Sequence, residues 1–184
     1  MTSAATRRWL LSWARHSIEA SLRGESDPTP ADPPAEVQQP AGCFVTLHGR
    51  GGALRGCIGT FAAEAPLWCA VRDMAIAAAS RDPRFAAVTA EELTACDIEI
   101  SVLSPPVPAN ATAVEVGHHG IVMRRGSRHG VLLPQVAVAQ GWDRETFLDR
   151  TCRKAGLPPG AWRDGSVEIE LFSAEVFGEA QEGT

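Results

Sequence analysis

The sequence lacks any long hydrophobic run. No apolar stretch approaches the ~20 residues that a helix needs to cross a bilayer, and the opening segment MTSAATRRWLLSWARHS is interrupted at Arg15 and His16. This opening therefore favours a helix over a signal peptide. From these absences we expect a cytoplasmic protein with no membrane association.

An excess of positive charge is also missing. The formal net charge is −5 and the isoelectric point is near 5.5. A chain without a general basic field has little to attract nucleic acid or an anionic membrane. The arginines of MRRGSRHG are more simply explained by a solvated turn, so nucleic-acid binding is unlikely and ranks last among the functional hypotheses.

Closely paired cysteines are absent as well. The five cysteines stand at positions 43, 57, 69, 96 and 152, and none of them forms C-x-x-C. These spacings are not those of a zinc site built from paired ligands. The adjacent His118 and His119 lack the H-x-H or H-x-x-x-H spacing of a metal motif. We therefore predict reduced thiols and no metal site.

Helical patterns are present at both ends of a proline-rich segment. Residues 6–23 carry an apolar stripe at four-residue spacing, and Gly24 is a C-terminal stop. A second helix should begin at Pro66 and end before Pro83. Between them, five prolines exclude a helix or a central strand over residues 25–42, which we interpret as a linker or a wrapping arm.

Strand patterns fall into short segments separated by turn residues. Residues 43–47 and 54–61 flank HGRGGA as a hairpin, and residues 97–103 alternate between apolar and polar. We expect all of these in one antiparallel sheet that is covered by the helix starting at Pro66. Further short strands are predicted in AVEV, GIVMRR, HGVLLP, VEIELF and AEVF.

Shorter helices complete the prediction. Thr89 and Glu92 have the spacing of a capping box, residues 135–140 form a short helix, and Asp143 caps another. Hairpin-like strands mixed with helices, without regular βαβ alternation, indicate the α+β class. We predict a single domain over residues 1–184, with a largely antiparallel sheet flanked by helices.

The segment LRGCIGT, Leu54–Thr60, carries the main chemical signal. Alternation along a strand places Arg55 and Cys57 on one face, where a guanidinium favours a thiolate over a thiol. Glycines are disfavoured inside strands, so Gly56 and Gly59 indicate that something approaches the backbone closely. Cys57 is therefore a candidate nucleophile or redox centre. The alternative is a small buried hydrophobe, the commoner fate of a free cysteine.

Several other residues are candidates for the same site. A cysteine nucleophile usually needs a base, and the sequence leaves that role open among His48, His118, His119 and His129. In SRDPRF, Arg84 can bind an anion through its planar fork, or it can pair with Asp82 while Phe85 fills the core. Trp142 can stack on a ligand, although packing is its commoner role.

Six ordered motifs together resemble the AMMECR family. They are FVTLHGRGGALRGCIGTF, DPRF, IEISVLSPP, GHHGIVM, LLPQVAVAQGWDRETFL and KAG. The resemblance covers essentially the whole chain and implies an α+β fold of two unequal lobes, with LRGCIG lining a cleft between them. It implies no established reaction, and the cofactor is unknown. In bacteria such proteins are often encoded beside a Memo-like protein and a radical-SAM protein, which are therefore implied as partners.

Carried over residue by residue, the resemblance marks a set of hallmark positions. They are Arg55, Gly56, Cys57, Gly59, Asp82, Arg84, Phe85, His119, Gly120, Pro134 and Trp142. The first hypothesis is an enzyme in which Cys57, Arg55 and His119 are catalytic and the substrate is small and anionic. Substrate binding then falls to Arg84, Gly56, Gly59, Asp82 and Trp142. The alternative is a non-catalytic interaction or adaptor module that uses the LRGCIG surface.

Overall fold

The computed structural model describes residues 2–25 and 28–182. The chain divides into two compact units of unequal size, Met1–Leu103 with Glu175–Thr184, and Ser104–Ala174. Positions 26 and 27 of the arm, and the extreme ends of the predicted domain over 1–184, lie outside the described residues. The single domain and the cleft stay predictions.

The first helix of the first unit is as expected. Helix α1, Ala4–Leu22, begins at Ser3, whose hydroxyl accepts the backbone N–H of Thr6. It ends before Gly24, which has a φ of +74° and so adopts the conformation that favours glycine after a helix. Three members of the apolar stripe are buried, namely Leu10, Ala14 and Ile18.

The proline-rich arm contains no α-helix or strand among its described residues, as predicted. It makes one short 3-10 turn, Ala35–Val37, and the side chain of Val37 is fully buried in the core of the first unit. Further along, Pro40 forms an isolated bridge with Pro66. The arm is thus fixed to the unit at Val37 and at Pro40.

The sheet of the first unit has the predicted composition. Strands β1, Cys43–His48, β2, Leu54–Thr60, and β3, Asp97–Leu103, form it in the order β2-β1-β3. Both pairings of β1 are antiparallel. Helix α2, Leu67–Ser80, follows Pro66, and helix α3, Ala90–Leu93, carries the predicted capping box. Strand β2 therefore lies at an edge of the sheet.

The two faces of this sheet differ sharply. On the face that packs against α2, Val45, Leu47, Ile98 and Ile100 are fully buried. The alternate residues point away from α2. We call this second side the far face, and its half-buried members include Thr46, His48, Cys57 and Glu99. Helix α2 thus packs on one side of the sheet, and these four polar side chains lie on the other.

The second unit, within its described residues, mixes strands and helices. Its elements are β4, Val107–Pro108, β5, His119–Arg125, β6, Arg128–Leu132, α4, Pro134–Ala139, α5, Arg144–Lys154, and most of β7, Glu168–Gly178. Strand β5 pairs antiparallel with β6 and β7, and β4 pairs with β7. The last described element is helix α6, Glu179–Glu182, which belongs to the first unit. The α+β class with antiparallel strands is confirmed.

Two strand predictions were wrong in detail. AVEV is not a strand, because Ala111–Ala113 forms a 3-10 turn and the carbonyl of Glu115 accepts the backbone N–H groups of His118 and His119. VEIELF and AEVF are one continuous strand, β7, since no turn residue separates them. Among the described residues, no helix combines the length and hydropathy that crossing a membrane requires.

Candidate functional site

The candidate site begins with the DPRF turn that follows α2. Phe85 donates its backbone N–H to the carbonyl of Asp82 at 3.1 Å, with Pro83 at the second position of the turn. Proline suits this position because its φ is already fixed near the required value. The Asp82 side chain also accepts the backbone N–H of Arg84 at 3.1 Å. The motif is thus a tight turn closed by its own aspartate.

This turn is attached to strand β2 at Cys57. The backbone N–H of Cys57 donates to Asp82 Oδ2 at 2.9 Å, and Arg84 Nη2 lies 3.5 Å from the Cys57 carbonyl oxygen. Arg84 and Asp82 are joined by two bonds, from Nε at 2.9 Å and from Nη2 at 2.6 Å. An edge strand presents unpaired N–H and C=O groups. At Cys57, the Asp82–Arg84 pair contacts the backbone N–H and C=O groups that a neighbouring strand would otherwise bind.

Asp82 is buried, with 5% of its surface exposed, yet it is an anion. The hydrogen bond from the Arg84 side chain, helped by the N–H groups of Cys57 and Arg84, holds the pKa of the Asp82 carboxyl well below its usual range. Burial acts in the opposite direction and is outweighed. A buried carboxylate is tolerated when its oxygens accept several hydrogen bonds in this way.

Phe85 does not fill the core, so that prediction was wrong. Its half-buried ring lies between two guanidinium groups, 5.9 Å from that of Arg55 and 5.4 Å from that of Arg84. These distances suit cation–π contacts. The core position belongs instead to Val88, which is 2% exposed.

Arg55 connects β2 to the segment that leads into α3. Its Nη1 donates to the carbonyl of Ala86 at 2.9 Å, and its Nη2 donates to Glu92 Oε2 at 3.1 Å. The pKa of the Glu92 carboxyl is lowered, first by the backbone N–H of Thr89 and second by Arg55. The charge of Arg55 is therefore already matched by a carboxylate.

The side chain of Cys57 lies on the far face beside Thr46. These residues are opposite each other in the β1–β2 register, and Thr46 Oγ1 donates to Cys57 Sγ at 3.2 Å. Because the N–H of Cys57 points to Asp82 and away from β1, the two residues form a pair without mutual backbone bonds. Opposed side chains come closest in such pairs.

A carboxylate and an imidazole continue this arrangement across β1. Thr46 is opposite Glu99 in the β1–β3 register, and His48 follows Thr46 by two residues, so it has the same orientation. His48 Nε2 lies 3.8 Å from Glu99 Oε1. The far face therefore presents a thiol, a hydroxyl, a carboxylate and an imidazole from three adjacent strands.

The other four thiols are held in less reactive surroundings. Burial raises the pKa of the Cys43 thiol to about 12. Burial is also the first cause of the raised pKa values of Cys69, Cys96 and Cys152. Thiolates are the reactive form of cysteine, so these four are protected by their positions.

The protein's own chain explains both glycines of LRGCIG. A Cβ added at Gly56 would lie 2.2 Å from the carbonyl oxygen of Ala78 in α2. A Cβ added at Gly59 would lie 2.2 Å from the ring of Phe44. Something does approach the backbone closely, and at both positions it is an internal neighbour.

Two of the residues predicted for the site belong to the second unit. His119 Nδ1 accepts the backbone N–H of Glu115 at 3.2 Å. Trp142 packs against the core of that unit, and the Arg150 guanidinium lies 5.3 Å from its ring. Six predicted residues come together in the first unit, namely Arg55, Gly56, Cys57, Gly59, Asp82 and Arg84.

Sequence reasoning did not identify Thr46 as a neighbour of Cys57. It assigned Glu92 to the capping box but missed the ion pair of Glu92 with Arg55. Alternation within CFVTLH would have placed Thr46 and His48 on one face, but the contact of Thr46 with Cys57 depends on the register of β1 and β2. That register shifts between Leu47 and His48, which no local pattern reveals. Over residues 2–25 and 28–182, no group of three or more His, Cys, Asp or Glu side chains is arranged to hold a metal ion.

Comparison with known proteins gives one consistent result. A model of the AMMECR1 family matches residues 11–177. A protein of Methanothermobacter thermautotrophicus is 44% identical over 180 residues, covering 94% of this chain and 93% of the relative. Protein PF1979 of Pyrococcus furiosus is 42% identical over 182 residues, covering 93% and 87%. The crystal structure of uncharacterized protein PH0010 from Pyrococcus horikoshii has a TM-score of 0.83 at 40% identity, covering 95% of this chain and 92% of that one.

Proposed function

The chain belongs to the AMMECR1 family, and we propose that it is a cytoplasmic enzyme that uses Cys57 as its nucleophile on a small anionic substrate. The names of its relatives state no reaction, so the proposal depends on the geometry of the first unit. The observation that carries it is the hydrogen bond from Thr46 Oγ1 to Cys57 Sγ on the far face.

The hydroxyl of Thr46 donates to the Cys57 sulfur and fixes the direction of this side chain. The thiolate is the nucleophile. Asp82 holds the backbone of the same residue by accepting its N–H. Cys57 is therefore supported at both its main chain and its side chain, as a positioned nucleophile requires.

We assign proton transfer to His48. Thr46 lies directly opposite Cys57, and His48 is two residues further along the same strand as Thr46. In an antiparallel pair, the Cα atoms of such diagonal neighbours are about 7 to 8 Å apart. Glu99 is placed to orient the imidazole of His48. His119, which the resemblance implies, is the competing candidate, but its Nδ1 already accepts a backbone N–H.

Arg84 provides the preference for an anion. Its side chain is 53% exposed, and Asp82 engages its Nε and Nη2. Guanidinium presents five donors in a fixed plane, and within the described residues the bonds of Arg84 involve Nε and Nη2. Its Nη1 donors are then the ones that would bind a carboxylate or phosphate. A substrate anion bound there would lie next to the strand residue that carries the thiol.

The experiment compares two alkylating reagents on a variant that retains only Cys57. Iodoacetate carries the anionic charge that the proposal requires, and iodoacetamide is its neutral counterpart. We expect the rate ratio of iodoacetate to iodoacetamide to exceed that of a cysteine-containing peptide, and Arg84→Met to abolish this excess. His48→Gln should slow both reagents, whereas His119→Gln should slow neither.

Each part of the proposal can fail separately. Equal rate ratios in the single-cysteine protein and in its Arg84→Met form would reject the anion site. No reaction of Cys57 with either reagent in the folded protein would reject the nucleophile itself.

An adaptor function is the second candidate, and one observation favours it. Leu54 and Phe61 are both 42% exposed, and they flank the two ends of edge strand β2. A partner could add a strand there, and the Memo-like and radical-SAM proteins implied by the resemblance are the candidates. This function predicts that Leu54→Asp prevents binding of the Memo-like protein in a pull-down, while Cys57→Ser leaves it intact. The glycines no longer support it, since internal neighbours account for both.

A further inference from the structure

We infer a second binding site, for a small zwitterion of the amino-acid type, in a cavity of about 300 Å³ within the first unit. The loop between β1 and β2 lines one side of this cavity, and helix α3 with the residues after it lines the other. The lining residues that matter are Arg50, Arg55, Glu91, Glu92, Ala95 and Cys96. A volume of this size is at the lower end of the range for ligand pockets.

The charges of the lining are balanced but incompletely paired. Arg55 and Glu92 bind each other at 3.1 Å. In the part of the chain that the structure describes, Arg55 and Glu92 are engaged with each other, whereas neither the Arg50 guanidinium nor the Glu91 carboxylate takes part in a hydrogen bond or ion pair. The cavity thus has one available cation and one available anion.

A zwitterion matches this distribution better than an ion of one sign. A simple anion would be attracted by Arg50 and repelled by Glu91, and a simple cation would meet the reverse. A ligand with a carboxylate and an ammonium can satisfy both at once, which is the basis of charge complementarity. Ala95 and the largely buried Cys96 supply apolar surface for a small side chain.

Both charged residues stand on locally fixed backbone. Arg50 lies in a tight loop in which the N–H of Gly49 donates to the Ala53 carbonyl at 2.7 Å and the N–H of Gly52 donates to the Gly49 carbonyl at 3.0 Å. Glu91 lies in α3, whose start is fixed by the capping box. Binding groups on fixed backbone lose less freedom when a ligand arrives.

This site goes beyond the proposed reaction. Cys57 does not line the cavity, so a zwitterion should bind equally well to the Cys57→Ser variant. Loss of thiol reactivity and loss of zwitterion binding would therefore be separate results.

The test uses glycine as the probe and follows backbone amide signals by NMR. We expect saturable shifts in residues 49–53 and 90–96, with acetate and methylammonium each binding at least about tenfold more weakly, since one charge-assisted contact is then missing. Arg50→Met and Glu91→Gln should each weaken glycine binding by about tenfold. Arg8→Met and Glu64→Gln make the same charge changes at exposed positions outside the cavity and should have no effect.

A charge exchange sharpens the test. The double variant Arg50→Glu with Glu91→Arg keeps one charge of each sign, so it should bind glycine more tightly than either of its single substitutions. Absence of saturable shifts up to about 10 mM glycine, acetate binding as tight as glycine, or unchanged binding in Arg50→Met would each overturn the inference.

Discussion

The two faces of the β2-β1-β3 sheet differ in what their residues do. The face against α2 carries side chains with no measurable exposure, such as Val45 and Ile100. The far face holds half-buried polar groups, with the Thr46 hydroxyl bonded to the Cys57 sulfur. Successive residues of one strand therefore serve stability and chemistry in turn, because strand side chains alternate between the faces.

In strand β2, the adjacent residues Gly56 and Cys57 face opposite sides of the sheet and meet different requirements. Gly56 faces α2, where the Ala78 carbonyl leaves no space for a side chain. Its neighbour Cys57 points to the far face, and its N–H is satisfied by Asp82. Substitutions at adjacent residues should therefore change different properties, and the following predictions use that contrast.

The largest effect is expected for Gly56→Ala, on the α2 side. The added Cβ would lie 2.2 Å from a backbone oxygen, and backbone cannot move aside as a flexible side chain can. Overpacking of this kind lowers the free energy of unfolding by about 3 kcal/mol. Urea denaturation followed by circular dichroism measures the change.

Gly49→Ala is the matched control for that substitution. Its nearest neighbour would be 3.7 Å from the new Cβ, so the free energy of unfolding should change by less than about 0.5 kcal/mol. Equal destabilisation by the two alanines would mean that the contact with α2 is not the reason for Gly56.

The next effect concerns Asp82, which holds β2 from its edge. Because the pKa of Asp82 is lowered in the folded state, its ionised form stabilises the protein above the unfolded pKa of about 3.9. This contribution is lost as the pH falls through the folded pKa. Asp82→Asn removes it, so the unfolding free energies of the two proteins should differ by a constant amount at pH 5 to 8, and this difference should shrink progressively as the pH falls below about 4.

The exposed Asp97 provides the control for this substitution. Asp97→Asn should change the free energy of unfolding at pH 7 by less than about 0.5 kcal/mol. If the difference in unfolding free energy between the wild type and Asp82→Asn stayed constant down to about pH 2, the role assigned to the carboxylate would be contradicted.

The smallest effect on stability is expected for Thr46→Val, on the far face. Valine keeps the shape but removes the donor to Cys57 Sγ, so the free energy of unfolding should change by about 1 kcal/mol or less. The alkylation rate of Cys57 at neutral pH should fall several-fold, because the hydrogen bond that positions its sulfur is gone. Thr46→Ser keeps the hydroxyl and should retain most of the rate. Equal rates in the valine and serine variants would show that the hydroxyl does not act on sulfur.

Local patterns predicted most of the fold because they reflect local causes. Alternation identified β3, the prolines excluded regular structure from the arm, and Thr89 with Glu92 marked the start of α3. AVEV failed because an alternating segment of four residues is also compatible with a turn. Strand periodicity cannot distinguish the two when the segment is this short.

The site was predictable only where its residues are neighbours in sequence. Alternation predicted Arg55 and Cys57 on one face, and Asp82 with Arg84 was recognised as one possible pair. In the structure the Arg55 side chain is bonded to Ala86 and Glu92. The Thr46 contact depends on the register of two strands, and the contact between Asp82 and the Cys57 N–H joins residues 25 positions apart. Such contacts follow from tertiary packing, which no spacing rule describes.

The most direct measurement of the central claim is site-resolved alkylation of the wild-type protein. The native protein is treated briefly with a limiting amount of iodoacetamide at pH 7, unfolded, labelled completely with an isotopic form of the reagent, and analysed by peptide mass spectrometry. We predict that Cys57 reacts at least about tenfold faster than Cys43, Cys69, Cys96 or Cys152, because burial raises the pKa values of those four. If Cys57 reacts no faster than Cys96 or Cys152, the far face holds a structural thiol and the account of Cys57 as a nucleophile is wrong.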